Sequence, residues 1–503
     1  MTKRAPLRPI FALALIAALP PVLRAEESAT PPVHPGFAFE ASNFPSAATS
    51  QRLYDELDYQ RAVQAYIWGQ PLVGLAAIAE GARRIGIQPN ELFVFDQGLK
   101  VNQALQTGND DVIYSFSYFN LKDSGPLIVE IPKGNQSGVL LDAWQRPIED
   151  VGRIGPDRGE GGKYLIVPPG YTGALPDEGY IIRNAATFNG LLFLRAVRTP
   201  GQTQESAVER LAQSNLYPYA QHASPPPLRM RKMGLDDYDG LTPKGLDYFE
   251  LLALRVREEV GEERDRIMLD MLASLGIESG RPFTPDARMQ RTLDEAERTG
   301  RVMVANLEIN PRNPRRAIFP GTQWRNGTGM THYTQERGSV TELDERAALF
   351  RFGFGMHKFL APGFKPVPGK GAAYAIAYRD GQNRYLVGDK TYRLHVPAAV
   401  PVADYWSITA YDADSFNFVD NRQERPSLSS LQDLARNADG SIDLYFGPQA
   451  PAGEDSNWIQ TIPGKGFLLL LRLFGPTQPF HDGSWVLGDA SAIPASELAS
   501  SQD

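Results

Sequence analysis

The chain of 503 residues contains no cysteine. This absence excludes disulfides, thiol nucleophiles, iron–sulfur clusters and cysteine-ligated zinc. Only six histidines are present, and none has the His-x-His or helical His-x-x-x-His spacing of a zinc pair, so we predict no metal site. The formal net charge of -8 argues against a nucleic-acid partner, because phosphate binding requires a basic face.

The motifs of several common enzyme classes are also missing. The sequence has no Gly-x-Ser-x-Gly elbow, no phosphate-binding Gly-Lys-Ser/Thr loop and no dinucleotide fingerprint. It therefore disfavours serine hydrolases, nucleotide hydrolases and Rossmann oxidoreductases, and it identifies no cofactor. Catalytic triads can still arise from residues that are distant in sequence, since geometry rather than order defines them.

The N-terminus carries the longest apolar run, Ile10–Leu19, which follows three basic residues and ends at Pro20. The run is about half the roughly 20 residues needed to span a bilayer, so it fits a signal peptide better than a membrane anchor. We predict cleavage near Ala25 and a periplasmic or secreted protein without a transmembrane span in the mature chain. The predicted segments are a signal peptide over residues 1–25 and a flexible leader over 26–48.

Forty prolines and forty-six glycines indicate many turns and favour β structure. Apolar strands alternate with turn residues in two stretches, and helical periodicity lies between them. We predict a mainly β protein with a helical insert (α+β) and two antiparallel β-sandwich or jelly-roll-like domains. The predicted parts are an N-terminal helix with the first β domain over 49–200, a helical middle segment over 201–320, the second β domain over 321–490 and a tail over 491–503.

Local signals give further expectations. Gly69-Gln-Pro71 should interrupt the N-terminal helix, because proline lacks the backbone N–H. Thr242-Pro243 and Thr284-Pro285 should cap two helices of the middle segment. The strands predicted at 372–378 and 392–396 should form a hairpin-type pair.

Two blocks of residues are similar to known families. The first block consists of Asn109-Asp110-Asp111, Tyr114, Gly125-Pro126, Ile131-Pro132, Asp142 and Gly162–Gly170; it resembles domain-of-unknown-function family 1254. The second consists of Gly388, Tyr392, Pro397, Tyr405–Ser407, Tyr411-Asp412, Asn437, Asp439–Ser441, Asn457-Trp458, Pro463, Arg472, Pro476 and Trp485; it resembles family 1214. The resemblance implies a tandem protein, often exported by bacteria, with two sandwich or jelly-roll domains around a helical middle, and it supplies no catalytic residues. Asp111 stands where a Thr is usual in the first family, and Pro426 where a Tyr is common in the second.

Polar residues at strand ends are the candidate site residues. Asp142 and Asp412 each end an apolar strand, and Arg472 lies within one. Such groups beside aromatic walls would orient a polar ligand. The competing interpretation is a structural ion pair that joins Asp142 or Asp412 to Arg425 or Arg472, since a buried Arg must be paired.

Three functions remain open. The first is binding of a small polar or amphipathic molecule. The second is a hydrolase or lyase that uses Asp110 or Asp142 as the base and Tyr114 or Arg472 as the stabiliser of negative charge. The third is a structural cell-envelope protein. The predicted ligand-binding residues are Trp406, Tyr411, Asp412, Arg425, Asn457, Trp458 and Arg472; the oligomeric state is not predicted.

The export prediction is tested by expressing the full chain in a Gram-negative host and measuring the intact mass of the protein in each cell fraction. We expect a periplasmic or secreted form that begins at Glu26, because cleavage follows Ala25. A cytosolic protein that retains residues 1–25 would contradict the prediction. A variant with two acidic residues inside Ile10–Leu19 serves as the control and should not be processed.

Overall fold

The computed structural model describes residues 44–196, 203–312, 317–327, 330, 332–358 and 367–494. The predicted signal peptide, most of the leader and most of the tail lie outside these residues. The chain divides into two units, Met1–Leu57 and Asp58–Asp503. Of the first unit, the described residues are 44–57, which contain the start of the first helix.

The described residues contain eight α-helices. They are α1 Ala47–Arg84, α2 Leu121–Ser124, α3 Gln204–Leu211, α4 Leu246–Glu258, α5 Arg266–Ser274, α6 Ala287–Ile309, α7 Leu343–Phe352 and α8 Gln478–His481. By length and composition α1 alone among them could cross a membrane, but 94% of its apolar window is buried within the structure.

Strands β1 to β12 precede the main helices in sequence. They are β1 Leu92–Val94, β2 Gln103–Ala104, β3 Ile113–Asn120, β4 Leu127–Ile131, β5 Ser137–Asp142, β6 Pro147–Gly152, β7 Gly162–Val167, β8 Ile181–Asn184, β9 Asn189–Ala196, β10 Asn215–Pro218, β11 Met230–Lys232 and β12 Tyr238–Asp239. Sheet I has the order β11-β1-β3-β9-β5-β6, and sheet II has the order β10-β4-β7-β8. Strands β10 and β11, from the segment predicted as helical, thus complete the sheets of this first β region.

Strands β13 to β22 follow the main helices. They are β13 Glu336–Arg337, β14 Val340–Thr341, β15 Ala372–Ala377, β16 Tyr392–Val396, β17 Val402–Asp412, β18 Ser427–Ser429, β19 Ile442–Gly447, β20 Trp458–Gln460, β21 Phe467–Pro476 and β22 Ser491–Ala492. Sheet III has the order β15-β21-β17-β18, and sheet IV has the order β20-β19-β16-β22. Two short pairs, β12-β2 and β13-β14, stand apart from these sheets. The fold is therefore mixed α+β.

Most strand pairs in the four larger sheets are antiparallel, as predicted, but three pairs are parallel. The parallel pairs are β1 with β11, β7 with β8, and β19 with β20. Each lies at one edge of its sheet, and a long stretch of chain separates the two strands of each pair. A hairpin turn cannot join parallel neighbours, which explains why turn signals did not reveal these three edge strands.

Each β region has its own apolar core, and a further core lies between the regions. One cluster of buried side chains joins sheet I to sheet II, and another joins sheet III to sheet IV. A third cluster contains residues of sheet I, sheet III and α1. Helices α1, α4, α5, α6 and α7 share a separate core. Alternate residues of a strand point to opposite faces, so sheets I and III each contribute to two cores.

The expected interruption of α1 at Pro71 is wrong. The helix continues from Ala47 to Arg84 with Pro71 inside it. Side chains from other elements bond to the carbonyl groups around the proline: Tyr248 Oη donates to Tyr66 O at 2.7 Å, and Gln145 Nε2 donates to Pro71 O at 2.8 Å. Pro71 removes the helical bond to the Ile67 carbonyl, and these bonds to neighbouring carbonyls, with the burial of the surrounding turns, hold the helix together there.

The expected pairing of 372–378 with 392–396 is also wrong. Strand β15 pairs with β21 in sheet III, whereas β16 pairs with β19 and β22 in sheet IV. The turn after Asp380 forms only a local bridge between Arg379 and Tyr385. The predicted caps at Thr242 and Thr284 are wrong as well. Gly245 precedes α4, and Asp286 caps α6 by accepting a hydrogen bond from Met289 N at 2.8 Å.

Asp142, at the end of β5, belongs to a buried charge network rather than to an open pocket. Its carboxylate accepts from Arg146 Nε at 2.7 Å, and Arg146 also donates to both oxygens of Glu262, at 2.6 and 2.9 Å. The side chains of Asp142 and Arg146 are 5% and 15% exposed. The structural ion pair foreseen for Asp142 is therefore present, but its partner is Arg146 and not Arg425 or Arg472.

Arg146→Met should lower the free energy of unfolding by about 3–5 kcal/mol, because it leaves the buried carboxylate of Asp142 without its cation. Urea denaturation measures the change. The matched control is Arg83→Met, which removes an arginine 65% exposed in its pair with Glu80 and should cost less than about 1 kcal/mol. Equal losses in the two variants would contradict this account.

Candidate functional site

Sheets I and III present polar side chains to the core that they share. In sheet III, four residues occupy one row: Tyr374 is opposite Arg472, Arg472 is opposite Ser407, and Ser407 is opposite Ser429. In sheet I, Tyr114 on β3 is opposite Arg195 on β9. Residues directly opposite each other on adjacent strands share a face, so the residues of each row lie on one face of their sheet.

Hydrogen bonds join the two β regions along these rows. Arg195 Nη1 donates to Tyr374 Oη at 2.9 Å, and Ser427 Oγ lies 2.7 Å from both oxygens of Asp110. Ser429 Oγ donates to Asp111 Oδ1 at 3.1 Å. We call this group the interdomain cluster; its members are Asp110, Asp111, Tyr114, Arg195, Tyr374, Tyr405, Ser407, Tyr411, Ser427, Ser429 and Arg472.

Arg472 is the most deeply buried cation of the cluster, with 2% of its surface exposed. Its Nη2 donates to Thr107 O at 2.7 Å, Gly108 O at 3.0 Å and Tyr411 Oη at 2.6 Å, and its Nη1 donates to Thr409 Oγ1 at 2.9 Å. Among the described residues, all these acceptors are neutral. The guanidinium thus fastens the 107–108 turn of the first β region onto sheet III.

Asp110 is half-buried beside this cation. Burial raises the pKa of Asp110, while the Ser427 hydrogen bond and the charges of Arg472 and Lys100 oppose the rise. A carboxyl group whose pKa is raised towards neutrality can exchange a proton with a ligand. Among the predicted catalytic residues, the structure brings Asp110, Tyr114 and Arg472 into one cluster and leaves Asp142 outside it.

The tyrosines of the cluster are neutral hydrogen-bonding groups. Burial raises the pKa of Tyr411 to about 12, against the opposing charge of Arg472, and burial also raises the pKa of Tyr114 and Tyr405. Tyr411 donates to Gly108 O. Tyr114 is only 7% exposed, and its hydroxyl makes no hydrogen bond within the described part of the chain; the Oγ of fully buried Ser407 makes none either.

Several predicted ligand-binding residues have other positions. Trp406 lies on the opposite face of β17, in the core between sheets III and IV. Asn457 bonds to both backbone groups of Ala435, and Trp458 Nε1 donates to Gly447 O at 2.9 Å. These three side chains hold loops and strands of the second β region together and do not enter the cluster.

Asp412 and Arg425 lie near the cluster but outside it. Asp412 Oδ1 accepts from Asp414 N and Ser415 N in a tight turn, and Asp412 lines a separate cavity of about 220 Å³. Arg425 donates to Asp455 O and Ser456 O. Burial lowers the pKa of Arg425, and the charge of Asp110 opposes this shift. Tyr411 and Arg472 are thus the predicted ligand contacts that the cluster contains.

The sequence predicted no site role for these members of the cluster: Arg195, Tyr374, Tyr405, Ser407, Ser427 and Ser429. For Arg195 a signal was present: it interrupts the apolar run Gly190–Ala196 as Arg472 interrupts Phe467–Phe474. The serines and tyrosines gave no such signal, because both residue types are common in half-buried strands. Within the described ranges, no group of three or more His, Asp or Glu side chains is arranged to hold a metal ion.

Two family models match the chain, one in each β region. The model described as "Protein of unknown function (DUF1254)" matches residues 89–218, and the model described as "Protein of unknown function (DUF1214)" matches residues 371–478. The cluster therefore takes Asp110, Asp111, Tyr114 and Arg195 from the first match and the remaining members from the second. No curated protein matches the chain significantly.

Two solved structures are similar to the chain. The VPA0106 protein from Vibrio parahaemolyticus matches over 87% of this chain and 100% of its own, with 16% identity and a TM-score of 0.50. At that identity the match shows a shared fold alone. An uncharacterised protein from Burkholderia cenocepacia matches over 90% of this chain and 98% of its own, with 13% identity and a TM-score of 0.40, and carries no argument.

Two β-rich regions thus meet at a buried polar contact. The first region matches the model of family 1254 and the second that of family 1214, in the order that the sequence predicted. That prediction is confirmed.

Asp110→Asn should change how stability depends on pH. Because burial raises the folded-state pKa of Asp110, the folded protein keeps a proton that the unfolded chain releases near pH 4. The wild type should therefore lose melting temperature relative to Asp110→Asn as pH rises from about 4 through the folded-state pKa. Thermal denaturation of both proteins across this range measures the difference.

The control for that experiment is Asp270→Asn, which removes an exposed carboxylate on α5. The melting temperature of this variant should change with pH in the same way as that of the wild type. A wild-type advantage over Asp110→Asn that grows with pH would show that Asp110 is stabilised as a carboxylate, contrary to our account.

Proposed function

We propose that this is an exported protein that binds a small polar or amphipathic molecule in the interdomain cluster. The predicted signal peptide supports export. Binding is supported by one observation above all: the Ser407 hydroxyl is buried without a hydrogen-bond partner among the described residues, and the hydroxyl of Tyr114, a residue 7% exposed, has none there either. These two hydroxyls lie on the rows that also hold Arg195 and Arg472. A buried polar group without a partner costs about 1–3 kcal/mol, so such groups often belong to a site.

The walls around Tyr114 suit the apolar part of an amphipathic molecule. The ring centroid of Tyr114 lies 5.3 Å from that of Phe193 and 6.3 Å from that of Phe354, and Phe193 lies 5.0 Å from Phe354. Ligand pockets typically combine such aromatic surfaces with a few convergent polar groups. The ligand site that we propose thus lies between the domains and not within one of them.

We also propose that each domain is a β-sandwich. One apolar cluster between sheets I and II, and another between sheets III and IV, support this arrangement. Two sheets that bury their inner faces against each other form such a core. A sandwich presents its outer face to solvent or to a neighbour, and in this chain the outer faces of sheets I and III supply the polar rows.

A hydrolase or lyase is the second candidate, and the pKa of Asp110 favours it. Burial raises that pKa, which suits a general base, and Arg472 and Tyr114 are placed to stabilise negative charge near it. The structural alternative draws support from the neutral acceptors that surround Arg472, since these contacts alone account for its burial. The first proposal accounts in addition for the two hydroxyls that lack partners.

A thermal-shift screen of metabolites against the mature protein tests the binding proposal. We expect at least one small polar or amphipathic compound to raise the melting temperature, since a ligand of the folded state stabilises it by mass action. Tyr114→Phe should reduce that shift while leaving the unliganded melting temperature unchanged or higher, because it removes a hydroxyl that has no partner.

Tyr164→Phe is the matched control. The Tyr164 hydroxyl donates to buried Asp157, away from the cluster, so this variant should lose stability and keep the ligand shift. No shift with any compound, or a full shift in Tyr114→Phe, would count against the site. If the protein turns over a compound and the folded Asp110→Asn variant does not, the result would favour the hydrolase or lyase.

A further inference from the structure

Arg195 is a cation whose guanidinium is only partly engaged. It is half-buried on β9, in a run that is otherwise apolar. Its Nη1 donates to Tyr374 Oη at 2.9 Å, and within the described residues Nε and Nη2 make no hydrogen bond and no carboxylate forms an ion pair with it. Nε and Nη2 form the side of a guanidinium that binds the two oxygens of a carboxylate in parallel.

Charge is distributed unevenly along the cluster. At one end, Ser427 and Ser429 hold the carboxylates of Asp110 and Asp111. At the other end, the groups that act electrostatically on Arg195 are the hydroxyls of Tyr374, Tyr114 and Tyr405, which are neutral. Among the described residues, Arg195 therefore meets neutral hydroxyl groups and no compensating anion at its own end of the cluster.

The Arg195 end is also the accessible one. Tyr374, which accepts the hydrogen bond from Arg195, is 37% exposed, whereas Ser427 and Ser429 at the other end are fully buried. A ligand that enters past Tyr374 would meet the free side of Arg195 first, then the Tyr114 hydroxyl, with Phe193 and Phe354 as its apolar wall.

From this geometry we infer that the ligand is a monocarboxylic acid, bound through its carboxylate by Arg195 Nε and Nη2 and by the Tyr114 hydroxyl. This inference rests on the proposed binding function and adds the chemical class of the ligand. One guanidinium with one free side matches one carboxylate. The carboxylate of Asp111 at the far end of the site repels a second negative charge, which favours monoanions over dianions.

The test compares acids with their uncharged isosteres. Benzoate is compared with benzamide, octanoate is compared with octanamide, and succinate serves as the dianion. Binding is measured by thermal shift and by calorimetric titration of the mature protein at pH 7. We expect a monocarboxylate to bind and raise the melting temperature, and its amide and succinate to bind at least about tenfold more weakly, because a charge-assisted bidentate contact is lost or a repulsion is gained.

Variants at Arg195 locate the contact. Arg195→Met should weaken binding of the acid by about tenfold or more and leave that of the amide unchanged, whereas Arg195→Lys should keep part of the preference for the acid. Arg183→Met, which removes a partly exposed arginine of sheet II paired with Glu149, is the matched control and should bind as the wild type does. Circular dichroism confirms that each variant is folded. If Arg195→Met does not fold, Arg195→Lys alone tests the contact.

The outcomes separate this inference from the proposed function. Equal binding of acid and amide that Tyr114→Phe weakens would overturn the carboxylate inference and leave the binding function intact. Acid binding that survives in both Arg195 variants would overturn the assignment to Arg195. No binding of any of the acids would overturn the inference, and the metabolite screen then decides the binding function by itself.

Discussion

The contact between the buried guanidinium of Arg472 and the 107–108 turn determines how the two β domains meet. Removing a cation from water is costly, and here carbonyl and hydroxyl oxygens from both domains compensate for the loss of hydration. Neither domain supplies this set of acceptors alone. The position of β21 against the first domain is therefore fixed, and with it the alignment of the two polar rows on which the candidate site depends.

Side chains along β17 and β21 point alternately to the two faces of sheet III, so this sheet contributes to two different cores. Trp406, Ile408 and Ala410 fill the core of the second domain, while Tyr405 and Tyr411 face the first domain. In sequence these residues form one apolar and aromatic run, so all of them resemble core residues. Only the packing of the neighbouring sheet decides which of them belong to the interdomain cluster, and that information is not local.

The sequence predicted what depends on local pattern: the main strands, the helical middle and the tandem of two families. It failed where tertiary contacts override local preference, as at Pro71, whose neighbouring carbonyls find partners on other elements. For the site, the apolar run around Arg472 was a sufficient signal, and the same argument would have identified Arg195. The pairing of Asp110 with Ser427 had no signal, since 317 positions separate the two residues.

The wide spacing of the cluster residues along the chain affects how the protein is made. A nascent chain that has not yet extended to β21 lacks Arg472, so its first domain can fold around its own core while the face of sheet I with Tyr114 and Arg195 stays uncovered. The aromatic surface on that face is then open to water or to a chaperone. The polar contact between the two β regions thus forms only late in synthesis, when β21 brings Arg472 against the 107–108 turn.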